Sequence, residues 1–172
     1  MIKPNEIIDK CLKDLEPKSV LDLGCGLGRA SLRFANKSIK VKGIDFKDKE
    51  ISNKNFEFIK SNVKKFVFKE KYDLIIASLV LHFLKKDDAI QMIEKMKKNT
   101  QEGGFNFLVC MSNEDDCSKQ KPENFYPNLT LLKKIYNNWE IVKQVQDFTE
   151  LEGHGNLKPH KHNLIFMLFK KP

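Results

Sequence analysis

Three glycines at alternate positions, Gly24, Gly26 and Gly28, follow directly on the apolar run from Ser19 to Leu23. Glycine there removes side chains where backbone must pass close to a ligand. Asp45 closes a second apolar run, and a carboxylate at that position offers two oxygens to the two hydroxyls of a ribose. Together these residues predict a nucleotide-containing ligand at a strand-to-helix turn. Their spacing separates ligand classes, because a dinucleotide fingerprint needs its third glycine at position 29, and that residue is Arg29. A second constellation lies near the C-terminus, where Glu152, His154, His160 and His162 include three of the four histidines. In an extended segment His160 and His162 face the same side. With His154 and Glu152 across the loop they form a candidate ligand set for Zn²⁺ or a similar divalent transition ion. The same three histidines are candidate general bases. A polar rim loop whose histidines line a substrate pocket is the alternative. His82 alone reads as a pocket wall or core-edge residue. Cys117, beside Asp115 and Asp116, reads as a lid residue that can approach the same rim and is not counted as a ligand.

These groups need elements to hold them. Residues 5–15 carry a helical stripe of Ile7, Ile8, Cys11, Leu12 and Leu15, which Pro17 ends. A strand at 19–23 leads into the glycine turn and a helix over 29–36. The second strand covers 40–45, and residues 46–55 are too short for a crossover helix and are predicted to hold one turn. Strands follow at 56–59 and 72–77. An amphipathic helix at 89–99 is stopped by Gly103 and Gly104. A strand at 105–111, a long polar loop at 112–128 read as a lid, and a helix at 129–138 come next. Strands at 139–148 and 163–169 join through a polar loop without a helix, so they are expected to be antiparallel neighbours. The expected fold class is α/β, a Rossmann-like doubly wound seven-stranded sheet with a reversed C-terminal strand, in one domain spanning 1–172. In such sheets the ligand lies beyond the carboxyl ends of the strands. That rule selects Asp45 and Phe46, Asn62 and Val63, and Ser78 to His82. The loop between the final strands lies on the same rim.

Composition narrows the function classes. The chain has 172 residues, ample for one full core, and a formal net charge of +8. Only Arg29 and Arg33 are arginines, so the basic charge is Lys spread in ones and twos. That distribution reads as solvated faces rather than a nucleic-acid surface, where bidentate Arg is expected. No run is long enough to span a membrane and the N-terminus lacks a signal-peptide core, so a cytoplasmic protein is expected. Cys11, Cys25, Cys110 and Cys117 form no Cys-x-x-Cys pair and are expected as free thiols.

The stretch from Leu21 to Gly28 resembles the first motif of class I S-adenosylmethionine (SAM) methyltransferases. The resemblance implies a loop that cradles the methionine moiety of SAM, with Asp22 orienting its amine and Asp45 holding the ribose. It implies Phe46 against the adenine, Asn62 and Val63 at the adenine edge, and Ala77 and Ser78 near the methionine end. Many relatives carry Asp where this chain has Asn62, although an amide can still accept from the adenine amine. The segment Ser78 to Leu84 lacks the Asn/Asp-Pro-Pro-Tyr/Phe motif of enzymes that methylate nucleobase amines, which argues against such an acceptor. The C-terminal third is similar to the tellurite-resistance methyltransferase family over Leu131 to Val142 (with Trp139 and Glu140), Glu150 and Leu151, and Ile165 to Leu168. Glu152 stands where that family tends to have His, with His154 two residues on. The resemblance implies methyl transfer to a small acceptor: a chalcogen oxyanion such as tellurite or selenite, a thiol, or another small metabolite. Two rivals stand beside it. One is a nucleic-acid or protein methyltransferase using the Lys-rich surface, and the other a SAM-binding or metal-sensing protein without turnover. The sequence leaves the oligomeric state open.

Overall fold

A computed structural model describes residues 1–151 and 159–172. In chain order its elements are α1 (Pro4–Leu12), β1 (Ser19–Leu23), α2 (Leu32–Asn36), β2 (Lys40–Asp45), β3 (Phe56–Lys60), β4 (Tyr72–Ser78), α3 (Lys86–Lys98), β5 (Thr100–Met111), α4 (Cys117–Gln120), α5 (Leu129–Ile135), β6 (Glu140–Phe148) and β7 (Asn163–Lys170). Short 3₁₀ turns occupy Val63–Lys65 and Leu81–Phe83. The seven strands form one sheet in the order β3-β2-β1-β4-β5-β7-β6. Strands β1 to β5 pair in parallel, whereas β7 is antiparallel to both β5 and β6. The expected fold class and the reversed C-terminal strand are therefore both present.

The period-2 alternation of the strands divides the core into two layers. Leu21, Leu23, Ile75, Ala77, Leu108, Ile165 and Met167 pack with Ala89, Met92, Ile93 and Met96 of α3 and with Leu132 of α5. Val20, Val41, Leu74, Ile76, Phe107, Val109, Phe166 and Leu168 pack on the other face with Ile8, Cys11 and Leu12 of α1 and Phe34 and Ala35 of α2. Every residue of β7 but the last is buried, which fits a strand wedged between two neighbours and covered on both faces.

Several boundaries differ from the sequence reading. Helix α2 starts at Leu32, because the preceding residues form turns that carry the glycine loop. Gly103 and Gly104 do not stop α3, which ends at Lys98. They lie inside β5, where Thr100 pairs with Tyr72 and Phe105 with Leu74, a register shift that leaves the intervening residues bulged. The segment 112–128 is not a free lid. It contains α4, buries Phe125, and is tied down by Phe125 N–H to the Leu84 carbonyl (3.0 Å) and Asn124 Nδ2 to the His82 carbonyl (2.9 Å). Among the described residues no helix is long and apolar enough to cross a membrane. The four cysteines are free.

Candidate functional site

The carboxyl ends of β1, β2 and β4 converge on a cleft. The amides of Gly24 and Cys25 both donate to the Ile44 carbonyl, at 2.8 and 2.9 Å, which ties the glycine loop to the end of β2. Gly26 N–H donates to Asp45 Oδ2 (2.9 Å) and Lys47 N–H to Oδ1 (2.9 Å), so the Asp45 carboxylate is fixed before any ligand arrives. Each of its oxygens keeps acceptor capacity for a hydroxyl. Gly24 has φ +69°, and a Cβ there would stand 2.3 Å from Val80 Cγ2; no side chain fits. Gly26 has φ +53°, and its missing Cβ faces open space, so the loop leaves room where a ligand would lie. Leu79, just past β4, also holds a positive φ of 51°, an uncommon conformation for Leu placed at the cleft floor.

Two connected cavities fill this end. One of about 290 Å³ is lined by Asp22, Cys25, Arg29, Ser78 and Leu79. The other, about 530 Å³, is lined by Asp45, Phe46, Asn62, Val63, Val80 and Phe83. Gly24, Gly26, Lys49 and Leu79 border both. Asp22 is 2% exposed and accepts a 2.6 Å hydrogen bond from Ser31 Oγ. Burial pushes its carboxyl up to about 7, against the opposing pull of Ser31 and with help from Asp45. A cationic ligand group beside it favours the ionised form. Phe46 is 64% exposed and Phe83 70%, two large aromatic faces turned to the cavity instead of the core. Asn62 spends its Oδ1 on Lys64 N–H (2.9 Å), capping the 3₁₀ turn that seats Val63. The sequence reading thus brought Asp22, Gly24, Gly26, Asp45, Phe46, Asn62, Val63 and Ser78 to one cleft. Gly28 is not among its lining residues; it shapes the turn, with Leu32 Cγ 3.0 Å from the position of its absent Cβ. Arg29 and Lys49 are cations lining the cavity of about 290 Å³ that the sequence reading does not single out as ligand groups.

Phe83 also borders a third cavity, of about 270 Å³, at the rim. His82, Cys117, Lys121, Tyr126, His160 and His162 line it. As expected, His160 and His162 face the same side, with their Nε2 atoms 3.1 Å apart. His162 is 7% exposed and its Nδ1 lies 3.0 Å from Asp115 Oδ2. A carboxylate offers only acceptors, so His162 Nδ1 is the donor in this contact. Asp115 is the hub of this wall. Its Oδ2 also accepts from Asn163 N–H (2.9 Å) and its Oδ1 from Cys117 N–H (2.9 Å). Nothing in the local sequence sets Asp115 apart from Asp116, and only the folded register of β5 and β7 brings it to His162. His82 is buried, its Nδ1 has no partner among the described residues, and burial pushes its pKa down to about 4. It is a neutral wall residue, as expected. Asp115, Cys117 and His162 place one potential ligand atom each within 4.8 Å of one another, so Cys117 belongs to the cluster from which the sequence reading left it out. Glu152 and His154, the other two residues of the expected metal set, lie outside the described residues.

The strand order, the reversed last strand and the glycine cleft define the fold of class I SAM-dependent methyltransferases. The chain belongs to the TehB family of that class: the family profile described as tellurite resistance protein TehB matches residues 3–168. It is 30% identical over 163 residues to a probable S-adenosyl-L-methionine-dependent methyltransferase, TehB of Haemophilus influenzae, covering 88% of this chain and 57% of the relative. The crystal structure of TehB from Haemophilus influenzae superposes with a TM-score of 0.82 at 27% identity, covering 97% of this chain and 62% of that one. The present chain thus spans somewhat more than half the length of these relatives. The N-methyltransferase NodS from Bradyrhizobium japonicum, in complex with S-adenosyl-L-homocysteine, matches with a TM-score of 0.73 at 17% identity, covering 98% and 86%. That likeness concerns the fold alone.

Proposed function

We propose that residues 1–172 form a single domain that transfers the SAM methyl group, by in-line SN2 displacement, to a small soft nucleophile. The observation that carries this reading is the run of cavities: the donor-sized cleft over the glycine loop meets, at Phe83, a smaller cavity walled by histidines. In this reading Asp45 holds the ribose hydroxyls, Phe46 lies against the adenine, and Asn62 and Val63 meet its edge. Asp22 draws the methionine amine, Ser78 lies near the methionine end, and Arg29 or Lys49 pairs with the carboxylate. The sulfonium is already activated, so the protein contributes mainly alignment, a term that can reach ~7–11 kcal/mol.

A chalcogen oxyanion or thiolate attacks without first losing a proton. For a protic acceptor, His162 is the base, held by Asp115 through Nδ1, and His160 receives or relays the proton. Such a base adds ~10²–10⁴-fold. The TehB name, tellurite resistance protein, favours the oxyanion class within this range. The nucleic-acid rival has less support. Arg33 pairs with Asp9, and Lys42, Lys60, Lys64, Lys97, Lys119 and Lys171 each pair with an acid. A rim cavity of about 270 Å³ also suits a small acceptor.

The test is a screen of thiols, chalcogen oxyanions and metabolite hydroxyls for S-adenosylhomocysteine release. Turnover of one small class, lost in His162→Ala for protic members only, is expected. Release driven by RNA, DNA or protein alone would transfer the reading to the rival. SAM binding with no release from any acceptor would leave a SAM-binding protein without turnover.

A further inference from the structure

We propose that Asn62 meets the donor's base as a hydrogen-bond donor: its Nδ2 pairs with a ring-nitrogen lone pair of the adenine, and the exocyclic amine is left unread. The assignment rests on the reading of the cavity of about 530 Å³ as the SAM cleft, which Asn62 lines together with Phe46 and Val63. Ser61 N–H donates to the Asp45 carbonyl (2.9 Å), so the turn that carries Asn62 is pinned to the residue assigned to the ribose. Both oxygens of Asn62 are already committed. Its carbonyl accepts from Lys65 N–H (2.9 Å) and its Oδ1 from Lys64 N–H (2.9 Å). Only the oxygen of an amide side chain can accept from an N–H, so the second contact fixes which branch is which. Nδ2, with two N–H groups to give, bonds no group among the described residues.

Polarity decides what that branch can meet. The exocyclic amine of adenine presents donors in the plane of the base, and the ring nitrogens beside it present lone pairs in the same plane. A donor facing the amine gains nothing, whereas a donor facing a ring nitrogen makes a hydrogen bond. An amine that sought Oδ1 would share it with the Lys64 N–H and stand beside the Nδ2 donors. An acid at this position keeps a second oxygen after capping the turn and accepts from the amine with it. Asn62 therefore exchanges a charge-assisted acceptor for a neutral donor at one point of the base edge. The cap on Lys64 thus replaces the expectation of an amide that accepts from the adenine amine. A donor altered at the amine is then expected to fit this cleft.

The test compares two ligands by calorimetry on the full chain: S-adenosylhomocysteine and its 6-deamino analogue, in which purine replaces adenine and every ring nitrogen stays. The wild-type chain is expected to bind the two within about threefold. Asn62→Asp keeps an oxygen for the Lys64 N–H, because Asp caps a turn as well as Asn does, and gains a free acceptor. Its preference for S-adenosylhomocysteine over the analogue is expected to rise to about tenfold or more, the weight of a hydrogen bond to a charged group. Comparing the ratio between the two proteins cancels what the loss of the amine does to stacking and ring basicity. A melting midpoint near that of the wild type establishes that the variant is folded, and the wild-type ratio tests the proposal without any variant. A wild-type preference above about threefold overturns it, and so does a variant preference below about tenfold. S-adenosylhomocysteine that binds neither protein overturns the SAM reading of the cleft itself, a result distinct from binding without discrimination.

Discussion

The two ends of the cleft are built in opposite ways. At the donor end, the loop amides, the glycines and Asp45 come from one short stretch, and the hydrogen bond that closes it, Gly26 to Asp45, spans 19 positions. Much of that surface is backbone, so its shape depends on the absence of side chains. At the rim, the groups come from the turn after β4, the segment before α4 and the entry to β7, and the contact that organises them, Asp115 to His162, spans 47 positions. That wall is organised by side chains, with Asp115 joining His162 to the Cys117 and Asn163 amides. Burial acts on both ends, lifting the Asp22 carboxyl to about 7 and lowering the His82 imidazole to about 4. A cleft made this way can keep its donor cradle constant while the rim changes acceptor.

The comparison can be broken most forcefully at Gly24. An added Cβ would lie 2.3 Å from Val80 on a backbone with φ +69°, so Gly24→Ala is expected to cost about 2–4 kcal/mol in urea unfolding and to abolish SAM binding. Unchanged stability would mean that the donor end tolerates side chains and is not shaped by backbone. A rim change is expected to act on chemistry, with some loss of stability because Asp115 also holds the Asn163 and Cys117 amides. Asp115→Asn leaves SAM affinity in place while lowering kcat for a protic acceptor by up to ~10²-fold, with little change for an anionic acceptor. An equal loss for both acceptors would make Asp115 a packing residue and remove its link to His162.

The smallest effects are those of pH on stability, and here the two ends oppose each other. The folded chain holds a proton on Asp22 that the unfolded chain has lost, so this group makes stability fall as pH rises from about 4 to about 7. His82 does the reverse. Its folded pKa lies below the ordinary 6.5, so the stability it contributes is lost as pH falls from about 6.5 to about 4. The slopes partly cancel in the native chain. Asp22→Asn should therefore expose a loss of stability on acidification, and His82→Leu a gain, both read from urea midpoints across that window. With Asp22 in the proposed role beside the SAM amine, affinity is expected to rise with pH up to about 7, by at most about tenfold per unit, and the Asn variant to flatten that rise.

Sequence alone went furthest where physics is local. The glycine spacing and Asp45 were legible because a strand-to-helix turn and the acid after the next strand are set by neighbours in the chain, whereas Asp22 was singled out only by the family resemblance. The seven strands and the reversed β7 followed from alternation and from a connection lacking a helix. The bulge in β5 was not legible, because Gly103 and Gly104 punctuate a helix end and a strand irregularity with the same residues; only pairing with β4 distinguishes them. Asp115 was invisible for a related reason. One acid in a polar loop looks like the next, and its role is assigned by β7 lying beside β5. Cys117 was seen and set aside, since its approach to His162 depends on the same long-range register.

The central claim, a donor cleft for SAM anchored by Asp45, is tested most directly by calorimetry of SAM against the wild-type chain and Asp45→Ala. The account predicts saturable one-to-one binding by the wild-type chain and a loss of about a hundredfold or more in the variant, since two charge-assisted hydrogen bonds are removed and the Gly26 and Lys47 amides lose their acceptor. Equal affinity in the two proteins, or no binding by the wild-type chain, would contradict it.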